Sequence, residues 1–122
     1  MLPLQRIKFN RELGQAEKLQ TVFRFPEEID LSWLVDSSVS GQAEGQQQSV
    51  DGEYNYELLS VLMHRGGADS GHYWALVRDF ECNRWLSFND VTVSTVTVEE
   101  VLSSGAGEGQ TDTNASFLVY AR

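Results

Sequence analysis

Three apolar, strand-like segments separated by short connections dominate the middle of the sequence. They span residues 54–64, 72–78 and 85–88. A glycine-rich loop of sequence GGADSG, residues 66–71, joins the first two, and the turn-like segment 79–84 joins the second and third. Strands that follow one another this closely in sequence usually pair as neighbours. The chain is therefore predicted to contain an antiparallel meander, with the first segment as a central strand.

Shorter elements are predicted on both sides of the meander. Further strands are expected at residues 4–9, 21–25, 91–94 and 115–122, and a polar connection at residues 10–20. Pro26 ends the strand at 21–25, because proline cannot donate to a strand ladder. Residues 27–35 fit either a short helical turn or an extended edge.

One short helix is predicted near the C-terminus. Thr97 and Glu100 have the spacing of a capping box, in which the first residue and the one three positions later satisfy each other's backbone. The helix is expected at residues 98–103 and is expected to end at Gly105. The fold class is therefore α+β, mostly antiparallel. Residues 37–52, rich in Ser, Gly and Gln, are predicted to form a flexible inserted loop.

Charge and cysteine content exclude several functions. The sequence has 18 acidic against 9 basic residues, a formal net charge of −9, which argues against nucleic acid as a partner. Cys82 is the only cysteine, so a disulfide framework and a cysteine-rich zinc site are excluded. No apolar run approaches the roughly 20 residues that span a bilayer, and no signal-peptide pattern opens the chain. We therefore expect no cofactor, no metal, no membrane partner, and a location in the cytoplasm or nucleus.

The two histidines differ in their surroundings. His64 ends a long apolar segment and is predicted to be structural. His72 stands where a glycine-rich loop enters a strand, a place where rigid scaffolds often hold binding and catalytic residues. If strand 72–78 pairs with strand 85–88, His72 comes beside Asn89 and Asp90, of which the first is 89 − 72 = 17 positions away. Neighbouring side chains on a strand point to opposite faces, so only one of the two is expected to meet the imidazole. The pairing alone does not choose between them.

A histidine with an Asn or Asp partner supplies two thirds of a nucleophilic triad. The third member is not evident. Cys82 lies in the turn at the far end of the hairpin from His72, too far for a hydrogen bond at a rise of about 3.3 Å per residue. Ser60 and Ser70 are candidates by residue type alone, because neither stands in a nucleophile-elbow pattern.

These segments, taken in order, resemble the C-terminal, histidine-box half of the ubiquitin-specific proteases, which are papain-like cysteine deubiquitinases. The matching segments are LP and the strand that follows (2–9), FRFPE with DL (23–31), YELLSVLMHRG (56–66), GHYWA (71–75), WLSFNDV (85–91) and ASFLVYAR (115–122). Each match is weak alone, but their order covers nearly the whole chain. The resemblance implies that residues 1–122 are the palm-like part of such a catalytic domain.

The resemblance also implies roles for individual residues. His72 matches the catalytic base, Asn89 the residue that orients its ring, and Asp90 a second polar position that shares that role. A channel for the C-terminal tail of ubiquitin is implied at Phe25, Gly71 and Tyr73, and a gating loop at Gly66, Gly67, Asp69 and Ser70.

One departure from the family pattern is decisive for activity. The cysteine box of the family lies N-terminal to all the matching segments, and Cys82 does not match it. The resemblance therefore implies a partner for this chain, either an N-terminal cysteine-box half or a second chain, besides ubiquitin or a ubiquitinated protein. Alone, the chain is expected to be inactive. The alternative is a non-catalytic scaffold of the same fold that binds ubiquitin or another protein.

Overall fold

The structure is a computed structural model that describes residues 1–34, 54–68, 71–109 and 112–122. Within these residues, the strands are β1 (Leu2–Pro3), β2 (Ile7–Asn10), β3 (Gln15–Lys18), β4 (Glu28–Asp30), β5 (Asn55–Gly66), β6 (Gly71–Asp79), β7 (Arg84–Asn89), β8 (Thr92–Val96) and β9 (Thr113–Ala121). A 3-10 helix covers Ser32–Leu34, and helix α1 covers Val98–Ala106. The α+β class is confirmed, with antiparallel strands as the main content of the described part.

The central sheet has the order β1-β9-β5-β6-β7-β8, and β4 pairs with β5 as well. All of its pairings are antiparallel. The predicted meander is confirmed as β5, β6 and β7, and β5 is central because it pairs with β6 on one side and β9 on the other. Strands β2 and β3 form a separate two-stranded hairpin.

The prediction for the first twenty residues is partly wrong. The strand predicted at 4–9 begins only at Ile7, and the predicted connection at 10–20 contains a second strand, β3, that pairs with β2. A tight turn makes this hairpin possible. The side chain of Asn10 accepts hydrogen bonds from the backbone N–H groups of Glu12 and Leu13, and Gly14 has a positive φ of 66°. Asparagine and glycine are the residues that such turns favour.

The strand predicted at 21–25 is also wrong, because its backbone finds other partners. The N–H of Phe23 donates to the carbonyl of Ala106 at the end of α1, at 3.0 Å. The carbonyl of Thr21 accepts from the guanidinium of Arg6 at 2.5 Å. In the described part of the segment 27–35, which ends at residue 34, both alternatives occur: strand β4 is followed by the 3-10 helix. The loop predicted at 37–52 lies outside the described residues.

Helix α1 starts where the sequence predicts and ends later. The capping box of Thr97 and Glu100 is present in both directions. The helix continues through Gly105 to Ala106, and Gly107, with a φ of 90°, is the residue that caps it. Gly105 is needed inside the helix for packing, because a Cβ there would come within 2.5 Å of the ring of Phe25.

Replacing Thr97 with alanine removes the oxygen that accepts from the N–H of Glu100 at 3.1 Å. We expect the free energy of unfolding to fall by about 1 kcal/mol. Thr97→Ser keeps an oxygen at the same place and should stay close to the wild type. Urea unfolding of both variants checks this, and equal losses in the two would show that the cap contributes nothing.

The buried core lies between helix α1 and one face of the central sheet. Its members include Leu58, Val61, Met63, Leu76, Trp85, Val101, Ala115 and Leu118, all at most 4% exposed. Strands β5, β6 and β7 all contribute to it. The core therefore packs the middle parts of these three strands together.

Candidate active site

Strands β6 and β7 bring His72 and Asn89 together. The strands pair in a register that sets Ala75 opposite Phe88 and Val77 opposite Leu86. His72 stands near the start of β6, and Asn89 is the last residue of β7. Nε2 of His72 and Oδ1 of Asn89 are 2.6 Å apart, a short hydrogen bond. Because an amide oxygen can only accept, Nε2 carries the proton and Nδ1 is left as an acceptor.

Asp90 is close to the same ring but makes a weaker contact. Its Oδ2 lies 4.0 Å from Nε2 of His72, and its side chain is 76% exposed. It starts the tight turn between β7 and β8 with a positive φ of 55°, a conformation that Asp tolerates better than most residues. Of the two alternatives that the sequence left open, the structure gives Asn89 the direct hydrogen bond.

The imidazole of His72 is held on one side and open on another. The ring of Trp74 stacks with it, with a centroid distance of 5.6 Å and an angle of 25° between the planes. The His72 side chain is 39% exposed. A ring that is oriented by an amide, supported by an indole and still accessible can exchange a proton with a group brought to it by another segment.

Gly71 stands where β6 begins, directly before His72. It pairs with Gly66, the last residue of β5. A Cβ at Gly71 would come within 2.6 Å of the carbonyl oxygen of Arg65, and closer still to Nε2 of His64. A glycine is therefore required by the close approach of the two strands.

The other residues that the sequence predicted at the site fall in different places. Tyr73 is 55% exposed next to His72, but Phe25 is 7% exposed and packs in the core. The channel role of Phe25 stays a prediction, and its burial leaves it little open surface in this chain. A Cβ on Gly67 would meet open space. Asp69 and Ser70 lie outside the described residues.

The candidate nucleophiles within the described residues are distant from His72. Cys82 is a free, exposed cysteine in the turn between β6 and β7, at the opposite end of the hairpin. Ser60, on β5, pairs with Val77 on β6, and His72 lies five positions before Val77 on β6. Neither is placed to give a proton to the imidazole.

The surroundings of His64 could be predicted only in part from the sequence. His64 was expected to be structural, and it is buried, at 6% exposure. Its ring lies 4.6 Å from that of Tyr73, its cross-strand neighbour. Tyr73 follows His64 by nine positions, and the glycine-rich loop lies between them. A hairpin centred on that loop would have predicted that the two residues pair. Burial and the nearby ammonium of Lys18 lower the pKa of His64, against a smaller opposing effect of the Asp112 carboxylate.

The lowered pKa of His64 predicts a loss of stability in mild acid. As the pH falls below the ordinary value of 6.5, the unfolded chain takes up a proton before the folded one does, so the free energy of unfolding decreases. Asp30 and Asp79 also have lowered pKa values, but the ordinary pKa of an Asp carboxyl is 3.8. Their effect on the free energy of unfolding therefore falls at a lower pH than that of His64. Urea unfolding between about pH 7.5 and about pH 5 should therefore show a decline that His64→Gln lacks. An equal decline in both proteins would contradict the assignment to His64.

Two absences hold for the part of the chain that the structure covers. Residues 1–34, 54–68, 71–109 and 112–122 contain no group of three or more His, Cys, Asp or Glu side chains able to hold a metal ion. In the same residues, no helix is both long and apolar enough to cross a bilayer.

Comparison with known proteins decides the family. The sequence profile of the family described as ubiquitin carboxyl-terminal hydrolase matches residues 1–120. The chain belongs to this family. Similar members include ubiquitin carboxyl-terminal hydrolase 47 of Drosophila melanogaster, 36% identical over 70% of the chain, and hydrolase 48 of Danio rerio, 41% identical over 71%. Hydrolase 15 of Saccharomyces cerevisiae is 32% identical over 87% of the chain.

These relatives are much longer proteins. The chain matches 6%, 7% and 9% of the hydrolases from Drosophila, Danio and Saccharomyces, respectively. Membership of the ubiquitin carboxyl-terminal hydrolase family supports the resemblance that the ordered motifs indicated. The mostly antiparallel fold with its single short helix, as far as the structure describes it, is the scaffold on which this family member places His72 and Asn89.

Proposed function

We propose that this chain supplies the base and its orienting residue to a cysteine-type deubiquitinase. The reaction is hydrolysis of the isopeptide or peptide bond that follows the C-terminal glycine of ubiquitin. The observation that carries the proposal is the 2.6 Å hydrogen bond between His72 and Asn89 in a chain of this family. Residues 1–122 would be the C-terminal, palm-like part of the catalytic domain, with residues 37–52 as an insertion.

The hydrogen bond sets the chemistry of His72. Asn89 holds Nε2–H, so Nδ1 accepts the thiol proton of a cysteine placed against the open side of the ring. The thiolate attacks the carbonyl carbon, and the protonated imidazole returns its proton to the departing amine. Water then cleaves the thioester, with the imidazole as base again, which releases the ubiquitin carboxylate and restores the thiol.

The nucleophile in this scheme comes from outside the described residues. Cys82 is the only cysteine of the sequence, and it lies at the wrong end of the β6–β7 hairpin. We therefore place the nucleophile on an N-terminal cysteine-box segment of the same protein or on a second chain. The cytoplasm or the nucleus is the compartment in which such a thiol would stay reduced.

Two features suit ubiquitin as the substrate. Tyr73 exposes 55% of its surface beside His72, and can flank a narrow peptide tail that enters between the loop and the strand. Gly66 and Gly67, with Asp69 and Ser70, would form the gate on that path. The formal net charge of −9 also suits a basic tail.

A second candidate function is a scaffold that binds ubiquitin without cutting it. The observation in its favour is the position of Cys82, which leaves this chain without a thiol near His72. The hydrogen bond between His72 and Asn89 favours the enzyme, because a binding role does not require an oriented imidazole.

The experiment that separates the two uses the full-length protein that carries this chain. Hydrolysis of a fluorogenic amide at the C-terminus of ubiquitin is measured, together with covalent labelling by ubiquitin that bears a C-terminal electrophile. We expect turnover, and labelling of a cysteine other than Cys82, with Cys82→Ser as an unchanged control. Binding of ubiquitin with neither turnover nor labelling would overturn the proposed activity and support the scaffold.

A further inference from the structure

The two histidines of the chain lie on opposite faces of one hairpin end. In the β5–β6 ladder, His64 is opposite Tyr73, and Arg65 is opposite His72. Side chains alternate between the faces of a sheet, so His64 and Tyr73 lie on one face. A side chain at Gly71 would lie on that face as well, because Gly71 is two residues from Tyr73. His72 points to the other face, where it meets Trp74 and Asn89. The start of β6 therefore has His64 on one face and the hydrogen-bonded imidazole of His72 on the other.

The ring of His64 occupies the space that a side chain at Gly71 would fill. The position of a Cβ on Gly71 would overlap Nε2 of His64 and lie within 2.9 Å of its Cε1. On the same face, the ring of Tyr73 lies 4.6 Å from the His64 ring at an angle of 42°. His64 therefore packs directly against the backbone of Gly71, the residue that precedes His72.

Three separate segments hold His64 in this place. The side chain is 6% exposed. Nζ of Lys18, on β3, donates to the carbonyl oxygens of His64, at 3.2 Å, and of Asp112, at 2.5 Å. Strand β9 pairs with β5 on the other side and sets Asn114 opposite His64. Lys18 and strand β9 therefore hold the backbone of His64, while its buried ring packs against Tyr73 and the backbone of Gly71.

We propose that His64 is a positioning residue for His72: its buried ring fixes Gly71, and thereby holds the His72 imidazole within hydrogen-bond distance of Asn89. The catalytic consequence of this inference rests on the proposed function, but the geometric consequence does not. Removing the ring opens a space behind Gly71, and the start of β6 can then move toward it. The hydrogen bond of 2.6 Å between His72 and Asn89 would lengthen as a result.

The kinetic test compares His64→Ala, in the full-length protein, with Val61→Ala. Val61 is fully buried, lies on the same strand and contributes to the core away from the hairpin end. For His64→Ala we expect kcat on the ubiquitin reporter to fall roughly tenfold or more, with KM changed less than about twofold. Val61→Ala should lose stability and keep the kcat of the folded protein. His64→Gln, which retains a polar side chain of similar reach, should recover part of the loss. If kcat stays at the wild-type level in His64→Ala, the inference is overturned.

A spectroscopic test gives an answer that does not depend on activity. In protein labelled with 15N at histidine, the ring nitrogens of His72 report the hydrogen bond to Asn89. We expect these resonances to shift in His64→Ala, or in His64→Gln if the alanine variant does not fold, and to stay in place in Val61→Ala. Wild-type protein without hydrolytic activity would refute the proposed function, whereas unchanged His72 resonances in the folded variants would refute the positioning role.

Discussion

Replacing His72 with alanine is expected to lower kcat/KM for hydrolysis of a ubiquitin reporter by ~10²- to 10⁴-fold, the range typical of a positioned general base. The expectation follows from the single polarised imidazole of the site. With His72 removed, Asp90 remains nearby, with its Oδ2 4.0 Å from the former position of Nε2. A carboxylate is a far weaker base toward a thiol than an imidazole, so it should not replace His72. Steady-state kinetics of the full-length protein provide the measurement.

Variants of the neighbouring polar residues make the prediction for His72 specific. Asn89→Ala removes the acceptor at 2.6 Å and should cause a large part of the same loss, whereas Asp90→Asn changes a group at 4.0 Å and should have a smaller effect. Affinity for intact ubiquitin should stay within about twofold in His72→Ala. If His72→Ala keeps more than about a tenth of the wild-type kcat/KM, His72 is not the base.

The approach of His72 to Asn89 could be predicted from sequence because it depends on local rules. Three strands with short connections pair as neighbours, and the turn at 79–84 brings the two ends of its hairpin together. The choice between Asn89 and Asp90 needed the register. Since Ala75 is opposite Phe88, residue 89 falls on the same face of the sheet as His72 and Trp74, while Asp90 has already entered the turn. A shift of one residue in that register would have reversed the choice.

The parts that the sequence predicted wrongly depend on distant partners. Residues 21–25 look like a strand, but the guanidinium of Arg6 and the end of helix α1 take up their backbone groups. The burial of Phe25 also depends on a distant partner, because Gly105 leaves a space in α1 that its ring fills. Neither contact is visible in local pattern, since each joins segments that lie far apart in sequence.

Gly71→Ala is the second substitution for which we expect a large effect. The added methyl group would meet the Arg65 carbonyl oxygen at 2.6 Å and would overlap the ring of His64, which is too buried to turn away. Because a backbone carbonyl in a ladder cannot move alone, the start of β6 must shift. Overpacking of this kind costs about 1–3 kcal/mol of stability. A displacement of about 1 Å at His72 would lower kcat by about 10²-fold.

Gly67 offers the matched control for the stability effect of Gly71→Ala. It lies in the same glycine-rich segment, its φ is not in the left-handed region, and a Cβ there would meet nothing within 4 Å. Gly67→Ala should therefore change the free energy of unfolding by less than about 0.5 kcal/mol. The contrast between the two glycines is decisive. If both alanine variants unfold at the same urea concentration and Gly71→Ala keeps the wild-type kcat, the close approach of β5 and β6 does not control His72. If only Gly71→Ala loses stability and activity together, the position of His72 depends on a glycine that has no chemistry of its own.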